Sequence, residues 1–393
     1  MSSYNVTDKR ARIYAVLLLT LVFLLSLAGG VLAHRLLERR QAAARNRPLA
    51  VFWEAWDILE EGFYGELPSA RRRTYGAIRG ALALLDDPYT IFLEPQPGEV
   101  ERDRLAGAYG GIGVDLWRDA EGRVILSPFP DSPAERAGVQ PGDILLAVDG
   151  ESVATDTTDK VRVRLRGEVS TTVTLTLSRP PTPPFDLEVI RTRIQMPSVT
   201  YRVLDQDPTI GYLHITGFTE RTPTEAAEAV DALLSAEVSR LVLDLRDNGG
   251  GLIQPAVEVS DLFLDGGVVL YELHRGEEER TFRAHAGGAA SDLPLVVLTN
   301  GSTASAAEMV AGAIQARERG ILIGEPTFGK GSVQLIYTLS DGSSLHVTAA
   351  IWLLPNRQPI HTDGLTPDIP AHPTDDLQDA PLDRAVLYLQ TGE

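Results

Sequence analysis

Cysteine is absent from this chain of 393 residues. The absence excludes a disulfide, a thiolate nucleophile and a thiolate metal site, and it leaves the redox compartment open. Lysine is nearly absent. Of the 36 cationic residues only Lys9, Lys160 and Lys330 are lysines, and the others are arginines. The seven histidines form no H-E-x-x-H pattern and no clustered ligand spacing, so neither a metal nor another cofactor is expected. Spacing leaves a Ser-His-Asp triad open, but no G-x-S-x-G elbow supports one, and there is no S-x-x-K at Ser305 and no G-x-G-x-x-G. Net positive charge is lacking as well. A balance of −18 argues against nucleic acid as a partner.

The charge is uneven. Residues 1–50 carry eight Arg and Lys against Asp8 and Glu38, a local excess of positive charge on an otherwise acidic chain. Within that stretch Ile13 to Ala33 contains no charged residue. As a helix it would extend about 31 Å at ~1.5 Å per residue, enough to cross a bilayer core. The run is longer than a signal peptide's apolar segment, which favours an uncleaved anchor, although Val31-Leu32-Ala33 offers a small-residue cleavage site. A count of flanking cations would keep the large domain cytoplasmic, because Arg35, Arg39, Arg40, Arg45 and Arg47 follow the span.

The pattern predicts four regions: 1–47 as anchor and basic flank, 48–98 as a small helical module, 99–182 as a β-rich domain, and 183–393 as an α/β domain. Residues 49–64 read as an amphipathic helix with Phe52, Trp56, Leu59 and Phe63 at helical spacing. Arg71 to Leu85 reads as a second helix, closed by Asp86-Asp87-Pro88, and the turn through Thr90 shows no obvious chemistry. Tyr109-Gly110-Gly111-Ile112-Gly113-Val114 is a glycine-rich turn entering a strand, and no helix follows it, which excludes a dinucleotide site. Pro180, Pro181, Pro183 and Pro184 read as a stiff linker. In the last region strands at Ile210–Ile215, Leu241–Leu245 and Leu295–Leu298 alternate with helices at Thr224–Ala236, Pro255–Leu262 and Ala306–Arg317.

Two residues carry candidate chemistry. Ser305 begins a helix at a strand's carboxyl end, where the helix's positive end favours a developing oxyanion. The same residues form a plain capping box, Ser305-x-x-Glu308, and the spacing alone does not choose between the readings. Lys330 is lysine in a chain that otherwise uses arginine. A guanidinium cannot accept a proton, whereas an amine desolvated by burial can. If the two meet, they form a Ser-Lys hydrolase dyad. Gly324 to Lys330 mimics a phosphate loop, but Gly331 stands where Ser or Thr is needed and the β-patterned Val333-x-Leu335-x-Tyr337 follows in place of a helix. Gln334, four residues past Lys330 on a strand, has the facing parity to orient the amine. The Gly249-Gly250-Gly251 turn and the N–H of Ala306 offer donors for an oxyanion hole.

Taken together these segments resemble the carboxy-terminal processing peptidases, also called tail-specific proteases. The resemblance rests on six motifs in order: Leu85-Asp86-Asp87-Pro88-Tyr89-Thr90; Tyr109–Gly113 with Ser132-Pro133-Ala134 and Ala137-Gly138-Val139-x-x-Gly142-Asp143; Asp244-Leu245-Arg246-Asp247-Asn248-Gly249-Gly250-Gly251; Thr303-Ala304-Ser305-Ala306-x-Glu308; Thr327-Phe328-Gly329-Lys330-Gly331-x-Val333-Gln334; and Gly364-Leu365-Thr366-Pro367-Asp368. It implies a crotonase-like α/β protease core with an inserted PDZ domain. It implies Ser305 as nucleophile, Lys330 as general base and Gln334 as its orienter. The oxyanion donors would be the N–H of Gly250 or Gly251 with that of Ala306, and Gly110, Gly111, Ile112 and Gly113 would bind a substrate's carboxyl terminus. The implied activity is a serine endopeptidase acting near protein C-termini, extracytoplasmic and held to the membrane through residues 13–33. A homo-oligomer or a regulatory partner is left open. Two other classes compete: a membrane-tethered PDZ scaffold with an inert core, and a crotonase-type acyl-CoA enzyme sharing backbone oxyanion holes.

Overall fold

The computed structural model describes residues 49–360, 363–373 and 379–393. The expected membrane span at 13–33 lies outside the described residues, and no helix among them is long and apolar enough to cross a membrane. The chain divides after Ala77 into two compact units. In the first, helix α1 (49–62) brings the Trp56 indole N–H to Glu60 Oε1 at 2.9 Å. Arg73, on helix α2 (Ala70–Leu82), stacks 4.7 Å over Trp56 and pairs with Glu60.

The second unit begins within α2 and continues through strand β1 (Ile91–Leu93) and helix α3 (Pro95–Ala106) into strand β2 (Ala108–Gly111). A β-rich domain follows: β3 (Val114–Arg118), β4 (Val124–Pro128), α4 (Pro133–Ala137), β5 (Asp143–Val148), β6 (Glu151–Ser152), α5 (Thr158–Leu165), β7 (Thr172–Arg179) and β8 (Thr182–Ile190). Ser132 caps α4, accepting from the Glu135 N–H at 3.1 Å, with Pro133 at the first helical position. The sheet runs in the order β3-β4-β5-β7-β8, with β6 paired to β5. Ile112, Leu116, Leu126, Leu145, Leu175 and Leu177 fill a core of its own. Strand β9 (Thr192–Gln195) then returns to pair antiparallel with β2. Entry and exit strands thus lie side by side, which is what lets a domain be inserted into another.

The prolines at 180–184 are not a linker. Pro180 and Pro181 turn the β7–β8 hairpin, and Pro183 and Pro184 lie in β8. β8 is an edge strand, where a missing N–H breaks no ladder. The boundary expected at 182/183 therefore falls inside a hairpin, and the sheet continues to Ile190.

The remaining chain builds the α/β core: β10 (Val199–Leu204), β11 (Asp207–Ile215), α6 (Thr222–Ser235), β12 (Arg240–Asp244), α7 (Ile253–Phe263), β13 (Gly267–His274), β14 (Arg280–Ala284), β15 (Leu295–Thr299), α8 (Ala306–Ala316), β16 (Ile321–Gly324), β17 (Ser332–Thr338), β18 (Ser344–Leu353), β19 (Ile369–Pro370) and α9 (Ala380–Thr391). The main sheet has the order β10-β11-β12-β15-β16-β19, parallel from β11 onward. Alternation along its strands decides which layer each residue joins. Leu241, Leu243, Leu295 and Val297 pack with α6, α7 and α8. Val242, Val296, Leu298 and Ile323 face the other way, against Leu382, Ala385 and Leu389 of α9. Burial on both faces explains why β15 carries the unbroken apolar run Leu295–Leu298 before Thr299. A second sheet, β1-β18-β13-β14 with β17 on β18, completes the core.

Candidate active site

Ser305 sits where β15 gives way to α8. A chain of short bonds shapes the turn before it. The Thr303 N–H donates to Asn300 O at 2.9 Å and the Asn300 N–H to Thr303 Oγ1 at 3.0 Å. The Thr303 hydroxyl donates to Leu245 O at 2.8 Å, and the Ala304 N–H to Asn248 O at 2.9 Å. These bonds tie the turn before Ser305 to the loop after β12. At Ser305 itself φ is +56° and ψ is −118°, a left-handed conformation that a serine adopts only when its surroundings hold it there. The strain turns the residue out of helical register just ahead of the Ala306 N–H.

What holds it is Glu308. This carboxylate is fully buried in a helix otherwise lined with Ala, Val, Met and Ile. Its Oε2 accepts from the Ser305 N–H at 2.8 Å and from the Lys330 N–H at 2.9 Å. Its Oε1 accepts from the Thr327 hydroxyl at 2.6 Å and the Gly329 N–H at 2.7 Å. Ser305 and Lys330, 25 positions apart in sequence, therefore share one oxygen atom as main-chain acceptor. Their main-chain nitrogens lie within two hydrogen-bond lengths of each other. Sequence reasoning assigned Glu308 only a capping role, and that half of the box is present. The overlooked signal was a charged residue in a helix apolar on every face.

The lysine loop is braced from the far side. Thr327 exchanges bonds with Leu365, N–H to O at 3.1 Å and Leu365 N–H to Thr327 Oγ1 at 2.7 Å. Gly331 lies so close to Ile360 O that any Cβ would collide with it. The Lys330 ammonium rests 5.2 Å from the centre of the Tyr89 ring, with no ion pair or hydrogen bond of its own among the described residues. Burial lowers the lysine's pKa below its ordinary value, opposed by Glu101, assisted by Arg104 and opposed again by Glu308 and Asp87. The turn carrying Tyr89 is thus part of the site, fixed by Thr90 Oγ1 to Asp87 Oδ2 at 2.6 Å and Thr348 N–H to Thr90 Oγ1 at 3.1 Å. Sequence analysis had found no chemistry there, and only folding brings it to Lys330.

Gln334 sits differently from expectation. Lys330 precedes β17, and a β-bulge between Val333 and Gln334 breaks the alternation on which the parity reading relied. The Gln334 amide donates to Ser332 Oγ at 3.2 Å and Thr348 Oγ1 at 3.4 Å, and no bond to Lys330 occurs among the described residues.

The glycine turn approaches Ser305 closely. A Cβ on Gly250, whose φ is +94°, would lie 2.8 Å from both Ala304 O and Ser305 Cβ and 3.0 Å from the Ala306 nitrogen. The expectation that Gly250 is a free oxyanion donor needs correcting. Its N–H already donates to Asn248 Oδ1 at 2.9 Å, because the buried asparagine folds back two residues on, while its own amide donates to Ile215 O at 2.9 Å. The N–H groups of Gly251 and Ala306 have no hydrogen-bond partner among the described residues.

In the β-rich domain, Ile112 and Gly113 line a cleft of about 670 Å³ between β3 and α5, together with Val114, Leu116, Phe129 and Leu165. Gly110 and Gly111 do not line it, since they belong to β2 and pair with Arg193 and Thr192. Among the described residues no group of His, Cys, Asp and Glu is placed to hold a metal ion.

A strained serine and a half-buried lysine whose main-chain N–H groups share one carboxylate oxygen, joined to a β-rich domain with a cleft, fit a hydrolase. Residues 209–371 match the family model for peptidase family S41, and residues 124–179 that for the PDZ domain. The chain is 36% identical over 318 residues to a carboxyl-terminal-processing protease of Synechocystis sp., covering 80% of this chain and 74% of that one. It is 35% identical over 312 residues to a carboxy-terminal-processing protease of Bartonella bacilliformis, covering 78% and 71%. A carboxy-terminal processing protease of Bacillus subtilis is 35% identical over 298 residues, covering 75% and 63%. The chain belongs to peptidase family S41 and is a serine peptidase of the carboxyl-terminal-processing type with a PDZ domain, acting on peptide substrates. That membership sets aside the inert scaffold and the acyl-CoA enzyme.

Proposed function

We propose that this protein is a membrane-anchored endopeptidase that captures substrate C-termini in its PDZ cleft and cleaves them with a Ser305–Lys330 dyad. The observation that carries the reading is the Glu308 carboxylate, which gives the two residues a common main-chain acceptor. In the reaction the Lys330 side chain leaves the Tyr89 ring and, neutral, takes the proton of Ser305 Oγ. The serine adds to the scissile carbonyl, and the oxyanion receives the N–H of Ala306 and of Gly251. The leaving amine takes the proton from Lys330, and water then hydrolyses the acyl-enzyme with the lysine again as base. Gln334 would orient the amine only after its bonds to Ser332 and Thr348 are exchanged.

Capture is supported by the N–H groups of Ile112 and Gly113, which have no hydrogen-bond partner among the described residues and belong to residues that line the cleft. Anchoring is supported by the uncharged run from Ile13 to Ala33. We place the catalytic region outside the cytoplasm, since long domains translocate largely regardless of flanking charge. Intact-mass spectrometry of a reporter with a free C-terminal tail tests the activity. Loss of C-terminal fragments with the wild type and none with Ser305→Ala is expected, and equal cleavage by both proteins would end the assignment.

A further inference from the structure

The edge of the PDZ cleft is already occupied by the protein's own side chains. β3 is the outer strand of its sheet, and its free side is where an incoming tail would add a strand. Two bonds fix the alternation of its ladder with β4: Phe129 N–H to Gly113 O at 2.9 Å and Asp119 N–H to Arg123 O at 3.1 Å. Counting between them, Gly113, Asp115 and Trp117 turn their main-chain groups toward β4. Val114 and Leu116, opposite Pro128 and Leu126, turn theirs to the open edge.

A tail running antiparallel to β3, with its carboxylate at the N–H groups of Ile112 and Gly113, would pair its last residue with Val114. Its third-from-last residue would pair with Leu116. Both groups of Leu116 are taken. Its N–H donates to Asp115 Oδ1 at 2.8 Å, and its carbonyl accepts from Arg162 Nη2 at 3.0 Å. The two capping side chains lie 3.6 Å apart as an ion pair, and Arg162 also reaches Asp159 at 3.3 Å. Arg162 stands three positions before Leu165 on α5, so both face the cleft.

Resting on the capture reading, we infer that Arg162 selects substrate tails with an acidic side chain third from the carboxyl terminus. Every tail must displace the guanidinium from Leu116 O in order to donate its own N–H there. Side chains alternate along the tail, so those of the last and third-from-last residues point together toward α5. An aspartate or glutamate at the third-from-last position meets the displaced guanidinium and exchanges one acceptor for another. An alanine leaves it without a replacement, and a lysine repels it. The present partners, Asp115 and Asp159, are exposed, and ion pairs of that kind are weak. An acid at the penultimate position falls on the face of Asp115 and gains nothing.

The test uses the full chain in detergent carrying Ser305→Ala, and short fluorescent peptides that differ only in an Asp, Ala or Lys third from the free carboxyl end. Anisotropy titrations should rank Asp above Ala by about tenfold, the scale of one charge-assisted hydrogen bond, with Lys weakest. Arg162→Ala should bind the Ala tail more tightly than the parent does and lose the preference for Asp. Arg162→Glu should reverse it in favour of Lys. The same rank order in the parent and both variants would overturn the role of Arg162 while leaving capture intact. If no peptide with a free carboxylate binds the parent or either variant, capture itself fails and this inference with it.

Discussion

Replacing Glu308 by glutamine should disable the enzyme without emptying its core. The side chain keeps its volume, but one oxygen becomes an NH₂. Two of the four donors now bonded to the carboxylate would then face a donor: the N–H groups of Ser305 and Lys330, or the pair from Thr327 and Gly329. Hydrogen bonds to charged groups are worth about 1.5–3 kcal/mol each, so two lost bonds cost about 3–6 kcal/mol. A domain with ~5–15 kcal/mol of net stability can survive that loss with a lowered Tm. The catalytic effect should be larger. On the proposed mechanism the carboxylate holds the Ser305 and Lys330 main chains in register, and a displacement of about 1 Å costs ~10²-fold in rate. The assay is the rate at which a serine-reactive phosphonate labels Ser305, measured well below the variant's Tm. A loss of at least ~10²-fold in folded protein is expected. A Glu308→Gln protein that is folded and labelled at the wild-type rate would refute the reasoning.

Three further outcomes follow from the same geometry. On the proposed mechanism Lys330 acts as base only when neutral, and burial holds its pKa below the ordinary lysine value, so Ser305 labelling should rise with pH through an apparent pKa below ~10.4. The sign for stability agrees: a lysine with a depressed folded pKa withholds stability as pH falls from the unfolded value toward the folded one. Lys330→Arg should be as inactive as Ser305→Ala, and a labelling rate in it close to wild type would remove the general-base role. Gly250→Ala forces a Cβ to 2.8 Å from Ser305 Cβ at a positive φ, so peptidase kcat should fall by at least ~10²-fold with little change in PDZ peptide affinity. Normal turnover in this variant would show that the close approach is dispensable.

Local pattern determined much of this protein. The apolar run Leu295–Leu298 reads as a buried strand, and Ser132-Pro133 marks the start of a helix. A lysine in an arginine-rich chain pointed to proton chemistry, because the two side chains differ in what they can release. Ser305 could be placed at a helix start from its neighbours alone. Tertiary structure decided the rest. No spacing in the sequence says that Ser305 and Lys330 share one carboxylate oxygen, that Tyr89 lies under the lysine amine, or that Asn248 claims the Gly250 N–H. Nor could it show the bulge that turns Gln334 aside, or the hairpin that makes edge-strand residues of the prolines at 183 and 184. The division has a physical cause. Propensity, capping and alternation act between residues a few positions apart, whereas the identity of a hydrogen bond's partner is settled only when distant segments compete for it inside the folded chain.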